Sequence, residues 1–313
     1  MIILSTQVRN NNYGIEQIII LIKMAITFVT SFFDIGRQTD APMQKFDNYF
    51  AWIEELLKLP INIYFFTSPG LHNRFNYTPR PNLKFKFLPE IPYFDRLDDI
   101  KEAWKNYVTG NTSKDTAEFG AMTHAKFRLL CQAIIDDPFG DDHYAWIDAG
   151  LLKIATNPEL IPSLTPPNKV RMMMLNYISD DEVKDPNFVY SCRYKYAAGL
   201  FIAPKVLMRV FCLLMIAQAE HDLFYNRFGL EQEYMAIIYR KYPELFDPYY
   251  GTFSDLIVNY LGCNRNSYVT KDILTTALKH NDKIEAAKVA KYILQAPDVN
   301  DSDKKISEIC LRM

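Results

Sequence analysis

Apolar residues along the chain fall into two rhythms. Ala25 to Phe33 is a near-continuous apolar and β-rich run, and Ile61 to Thr67 is a second. Runs of this kind predict strands buried on both faces, as in parallel sheets. Leu83 to Leu88 alternates apolar residues with lysine and predicts a third, partly exposed strand. His143-Tyr144-Ala145-Trp146-Ile147 predicts a buried strand that ends on Asp148 and turns at Gly150. Val170 to Ile178 and the small-residue run Tyr196 to Pro204 supply two further strands.

Between these runs the spacing becomes helical. Helices are expected over 43–59, 95–107, 116–135, 205–227 and 230–242. The 205–227 helix is expected to bury Val206, Val210, Leu213, Leu214 and Ala217. The proline-rich stretch 155–169 cannot hold a regular element, and Asp180-Asp181-Glu182 through Asp185-Pro186 reads as a loop. Residues 270–313 read as a helical tail. Strands alternating with helices define an α/β fold with helical layers on both faces of the sheet. The expected organisation is an N-terminal extension over 1–23 (with Met24 as an alternative start), a main domain over 24–269 and a C-terminal helical tail over 270–313.

Composition narrows the function classes. The formal net charge of -2 gives no global attraction to nucleic acid, and no basic run overrides it. The five cysteines are odd in number and widely spaced, which argues against a disulfide framework or zinc cluster and fits a reducing, cytoplasmic setting. The apolar run Ile18 to Ile22 is too short to span a bilayer, so at most a peripheral membrane association is expected. Phosphate-loop, dinucleotide-binding and nucleophile-elbow motifs are all missing from the sequence.

What remains is a set of polar residues at strand ends and on helices. Asp34 and Arg37 follow the first strand; His124, Lys126 and Arg128 lie on the helix before the Asp148 strand. Gly199 sits in the small-residue strand, and His221, Asp222, Glu231, Gln232 and Glu233 cluster later. An Asp at the carboxyl end of a strand in an open α/β sheet stands where such sheets bind ligands. A sugar nucleotide would need these residue types: cations or a metal for the diphosphate and a carboxylate near an acceptor hydroxyl. Each also has a plain reading. Lys126 and Arg128 suit a solvated helix face, His124 a packing residue, Glu231 to Glu233 an acidic helix start, and His221-Asp222 a helix end.

Three stretches together resemble the bacterial HtrL/YibB (WlaTC-like) family of glycosyltransferases. They are Thr27 through Arg37 (TFVTSFFDIGR), Lys126-Phe127 through Trp146-Ile147-Asp148-Ala149-Gly150, and Tyr239 through Phe246 (YRKYPELF) with Tyr250-Gly251. The resemblance covers about residues 25–260. It implies a GT-A-like, Rossmann-related, mostly parallel sheet and transfer of a sugar from a nucleoside-diphosphate-sugar donor to a glycan or other hydroxyl acceptor. On that basis Asp34, Arg37, Lys126, Asp148 and Gly199 would hold the donor. Glu231 or Glu233 would act as base in an inverting displacement. Asp148 with His221 and Asp222 would meet Mn²⁺ or Mg²⁺. Asp148-Ala149-Gly150 matches the family type's D-x-D at its first position only. A catalytically degenerate glycan- or partner-binding protein is the alternative, and a nucleotide-sugar hydrolase or phosphorylase on the same fold a third reading.

Overall fold

Every residue of β1 (Ile26–Phe32) is buried, because this strand lies inside the sheet and is covered on both faces. The computed structural model describes residues 25–36, 46–109, 111–265, 267–296 and 299–312, together with a short pairing of Thr6–Gln7 with Ile18–Ile19. The expected 1–23 extension, with Met24, otherwise lies outside the described residues, as does Arg37.

After β1 come α1 (Asn48–Lys58), β2 (Asn62–Thr67), β3 (Leu83–Phe87), α2 (Leu97–Trp104), α3 (Ala117–Asp136) and β4 (His143–Ile147). The chain continues through β5 (Arg171–Met174), α4 (Asp180–Lys184), β6 (Tyr196–Pro204), α5 (Lys205–Phe224), α6 (Glu231–Lys241) and β7 (Tyr249–Tyr250). Three helices close it: α7 (Tyr268–Lys279), α8 (Lys283–Ile293) and α9 (Asp301–Cys310).

The seven strands form one sheet in the order β3-β2-β1-β4-β6-β5-β7. β1 pairs in parallel with β2 and with β4, whereas β6 is antiparallel to both β4 and β5. This is the expected α/β class with a mixed, mostly parallel sheet flanked by helices. β3 is an edge strand, and its buried Leu83 beside exposed Lys84 fits the alternation seen in the sequence, whereas Phe87 at its end is exposed. From β1 the chain proceeds outward to β2 and β3, then returns to place β4 on the other side of β1. The carboxyl ends of β1 and β4 therefore flank the point where strand order reverses, and a crevice opens there in such sheets.

Three expectations are corrected. The 155–169 stretch, expected to hold no regular element, forms a 3-10 helix over Pro158–Ser163, with Pro158 at its start. Asp180-Asp181-Glu182 is not loop but the start of α4, where Ser179 and Glu182 form a reciprocal capping box. α5 buries Met208, Phe211, Cys212, Met215 and Ala219, while Val206 (73% exposed), Val210 and Leu213 face outward. This helix is apolar nearly all round, so its sequence does not fix which face turns inward.

The C-terminal helices pack directly on the β7 region. Glu285 of α8 is buried and accepts hydrogen bonds from the Tyr239 and Tyr250 hydroxyls. Tyr292 donates to the Asn259 carbonyl at 3.2 Å. Among the described residues, no helix is long and apolar enough to cross a membrane.

Candidate functional site

A cleft of about 280 Å³ opens over the ends of β1 and β4. Asp34 stands at the end of β1 and Asp148-Ala149-Gly150 at the end of β4. Phe46 and Tyr49 form one wall, and Leu230-Glu231-Gln232, at the start of α6, form another. Three carboxylates (Asp34, Asp148, Glu231) and three lysines (Lys114, Lys126, Lys153) line it.

The centre of the site is Asp148. Its backbone N–H donates to the Gly199 carbonyl at 2.9 Å, which extends the β4–β6 ladder by one bond. Its Oδ1 accepts the Trp146 indole N–H at 2.5 Å and the Lys126 ammonium at 3.4 Å, while its side chain stays 44% exposed. Trp146 reaches it because residues two apart on a strand share a face.

Lys126 rises from the middle of α3 and is 3% exposed. Its ammonium meets three oxygens: Glu231 Oε1 at 2.9 Å, the Ala198 carbonyl at 3.1 Å and Asp148 Oδ1. Opposite Met172 and Met173, β6 skips register from Phe201 to Ala197. That bulge leaves the Ala198 carbonyl to Lys126. Burial works against the ammonium, but the Asp148 and Glu231 carboxylates outweigh it and hold its pKa above the usual lysine value. For Glu231 burial favours the neutral acid; Lys126, and to a lesser degree His124, overcome this and keep the pKa below the ordinary one. Glu231 Oε2 is buried without a hydrogen-bond partner.

Of the residues singled out in the sequence, Asp34, Lys126, Asp148, Gly199 and Glu231 converge on this cleft. Asp34 is exposed at its mouth and accepts the Gly36 N–H at 2.9 Å, a local turn in which Gly36 adopts φ +68°. Lys126 is neither a solvated helix face nor a flexible point cation. It is pinned between two carboxylates. Gly199 lies against Asp148: a Cβ there would come within 3.3 Å of Asp148 Oδ2.

The remaining candidates lie elsewhere. Glu233 does not line the cleft; it is fully buried, and its Oε1 accepts the Arg193 N–H at 2.7 Å. Burial, reinforced by the Glu231 charge, pushes its pKa up to about 8. His221 and Asp222 do not line the cleft either. Asp222 is buried at the end of α5, where it accepts from Arg227 at 2.6 Å and Gln218 at 3.0 Å, and His221 is exposed beside Tyr225. His124 is buried, its Nε2–H donates to the Gly229 carbonyl at 3.1 Å, and burial lowers its pKa to about 4.

The expected metal set of Asp148, His221 and Asp222 is therefore not assembled. Among the described residues no three His, Cys, Asp or Glu side chains are placed to hold an ion. Position 150, where a D-x-D would carry its second acid, could take one only by displacing the Tyr49 ring: a Cβ there would sit 2.8 Å from it. Asp148 Oδ1 is already engaged by an ammonium. These residues do not fit a divalent ion held by two carboxylates.

Sequence reasoning missed Tyr49, Lys114 and Lys153 as lining residues, and the Ala198 carbonyl as a partner of Lys126. Only Trp146 carried a signal, its even spacing from Asp148. The tyrosines of the 242–253 segment do not offer a stacking platform as a group, since Tyr249 and Tyr250 are core residues; Phe253 does line the cleft.

Two predictions arise from this architecture. Gly229 packs so closely that a Cβ would lie 1.8 Å from the Val189 carbonyl oxygen. Gly229→Ala should cost about 3 kcal/mol in chemical denaturation, because backbone rather than a side chain must yield. Glu233, in turn, makes stability depend on pH. Its folded pKa lies above the unfolded value, so the folded state holds the extra proton. The resulting stabilisation is complete below about pH 4.5 and declines as pH rises through about 8. Glu233→Gln should remove that decline, leaving the variant more stable than the wild type by a few kcal/mol at pH 9 relative to pH 5. Denaturation midpoints at the two pH values check this.

No protein-family model matches the chain, and no curated protein matches it by sequence. Among solved structures, the chain is similar to a crystal structure of mouse xyloside xylosyltransferase 1 in its apo form. The identity is 14% over 72% of this chain and 84% of that one, with a TM-score of 0.39. A likeness of that grade assigns no activity. The fold class rests on the strand order and pairing of this chain itself.

Proposed function

We propose that this protein is a GT-A-like glycosyltransferase of the HtrL/YibB type, which moves a sugar from a nucleoside-diphosphate-sugar donor to a glycan or other hydroxyl acceptor. The observation that carries the reading is the placement of Asp148. It is half-exposed at the carboxyl end of a central strand and oriented by Trp146 and Lys126, in a cleft at the sheet's reversal point.

In this reading Asp148 meets the ribose or the transferring sugar, and Asp34, with Arg37 beyond it in sequence, flanks the nucleotide. Lys114 and Lys153 supply positive charge for the diphosphate. Glu231 replaces the pair Glu231 and Glu233 as candidate base: of the two it lines the cleft, and its Oε2, which has no hydrogen-bond partner, would be the oxygen to take the acceptor's proton in an inverting displacement. A retaining reaction would leave Glu231 only its tie to Lys126.

The Tyr49 ring against Gly150 favours a second reading, a catalytically degenerate fold that binds a glycan or partner without turnover. Melting temperature against a panel of nucleotides and nucleotide-sugars, with parallel detection of released nucleoside diphosphate, separates the two. A ligand held by the folded state at a hundredfold above its Kd adds about 2.7 kcal/mol. A shift within one nucleoside series together with nucleotide release supports the transferase. A shift without release supports the binding protein, and the absence of any shift removes the nucleotide site.

A further inference from the structure

We propose that the Lys126 ammonium is the resident cation of this site, standing where a divalent ion would otherwise bridge Asp148 and Glu231, and that the site binds no divalent ion of its own. Three oxygens surround Nζ: Glu231 Oε1 at 2.9 Å, the Ala198 carbonyl at 3.1 Å and Asp148 Oδ1 at 3.4 Å. Two carboxylates and one carbonyl are hard oxygen donors of the kind that hold Mg²⁺ or Mn²⁺. Here they converge on nitrogen.

The arrangement is built in. Lys126 comes from the centre of a twenty-residue helix whose N-terminus Thr116 caps, so its root is fixed. The β6 bulge turns the Ala198 carbonyl toward it, and the Trp146 indole N–H holds Asp148 Oδ1 in place at 2.5 Å. Burial leaves the ammonium no water to exchange for these oxygens, so its charge and that of the equally buried Glu231 are mutually required.

The same geometry excludes a second cation. An ion reaching Asp148 would stand beside the Lys126 ammonium, which already engages Asp148 Oδ1 and repels a second cation. A second carboxylate at position 150 would relieve this, but its Cβ would strike the Tyr49 ring at 2.8 Å. Tyr49 is itself stacked on Phe32 and packed edge-on to Trp52, so the space is not readily surrendered. The consequence for the donor rests on the transferase reading: a diphosphate entering this cleft would meet Lys114 and Lys153 rather than a metal.

The test is Mn²⁺ binding, followed by the loss of the free-ion electron-paramagnetic signal. Wild-type protein alone should leave the signal undiminished, and its melting temperature should not respond to Mn²⁺. K126Q should melt lower than wild type, acquire Mn²⁺ stoichiometrically and regain stability when the ion is added, because the vacated oxygens then form a cation site. Stoichiometric Mn²⁺ uptake by the wild type would overturn the proposal whether or not the variant folds. For the donor, stabilisation of wild type by UDP or GDP should be unchanged in EDTA; a loss of about tenfold or more in affinity would overturn the metal-free consequence. A wild type that takes up neither Mn²⁺ nor nucleotide keeps the ammonium assignment and sinks the transferase reading instead.

Discussion

Replacing Lys126 with methionine should cost about 3–5 kcal/mol, the usual penalty for removing one partner of a buried ion pair. Methionine keeps an unbranched stem only one atom shorter, so the loss is mainly one of charge rather than volume. Glu231 would remain 5% exposed with its Lys126 partner gone, and the Ala198 carbonyl would lose its donor. The ordinary escape for such a carboxylate is protonation. The variant should therefore lose most at neutral and high pH and recover part of its stability in acid. Lys126→Met combined with Glu231→Gln should be markedly more stable than the single variant, with a coupling of about 2–3 kcal/mol between the sites. Urea denaturation of the four proteins of this cycle checks it. By contrast, the exposed Lys58–Glu55 pair at 2.6 Å should contribute no more than about 1 kcal/mol, though it is the shorter contact. A Lys126→Met protein as stable as wild type would mean that the ammonium is not the charge that permits Glu231 to be buried ionised.

How far the sequence foretold this site differs from residue to residue. The apolar runs of β1 and β4 were readable because strands covered on both faces leave no polar alternation, and Asp148 was readable as the residue where such a run stops. The capping box of α4 was equally present in Ser179-x-x-Glu182, but the acidic residues around it looked like a loop. Glu231 and Glu233 could not both have faced one cleft, since residues two apart on a helix point to nearly opposite sides; their spacing poses the choice, and only tertiary packing makes it. Lys126 could be named as a candidate, but its burial and pairing could not. Its burial depends on a carbonyl released by a bulge some seventy positions later and on a glutamate from another helix, and local sequence shows neither. Gly150 likewise could be seen as a departure from D-x-D, but its physical reason, the Tyr49 ring, comes from α1.

Asp148→Asn should leave the fold nearly intact and lower sugar transfer or donor hydrolysis by about a hundred- to a thousandfold, the scale seen when one preorganised electrostatic contact is removed from a reacting centre. The substitution keeps the shape of the side chain, and the amide oxygen still accepts the Trp146 N–H. The carboxylate is 44% exposed, so its charge adds about 1 kcal/mol or less to stability. What changes is the field in the cleft. With Asp148 neutral, the Lys126 charge is balanced by Glu231 alone, and in the proposed transferase reading the strand end would lose the anion meant to orient a ribose hydroxyl or stabilise charge developing on the transferring sugar. Asp34→Asn is the useful contrast. Asp34 sits exposed at the mouth of the same cleft, engaged in a local turn with Gly36, and its substitution should weaken donor affinity more than turnover. Turnover with saturating donor, followed by nucleotide release, distinguishes the two. If Asp148→Asn retained turnover within a few fold of wild type while binding nucleotide normally, Asp148 would be a scaffold for the Lys126 cluster and the reacting centre would have to be sought toward Asp34 and Lys153.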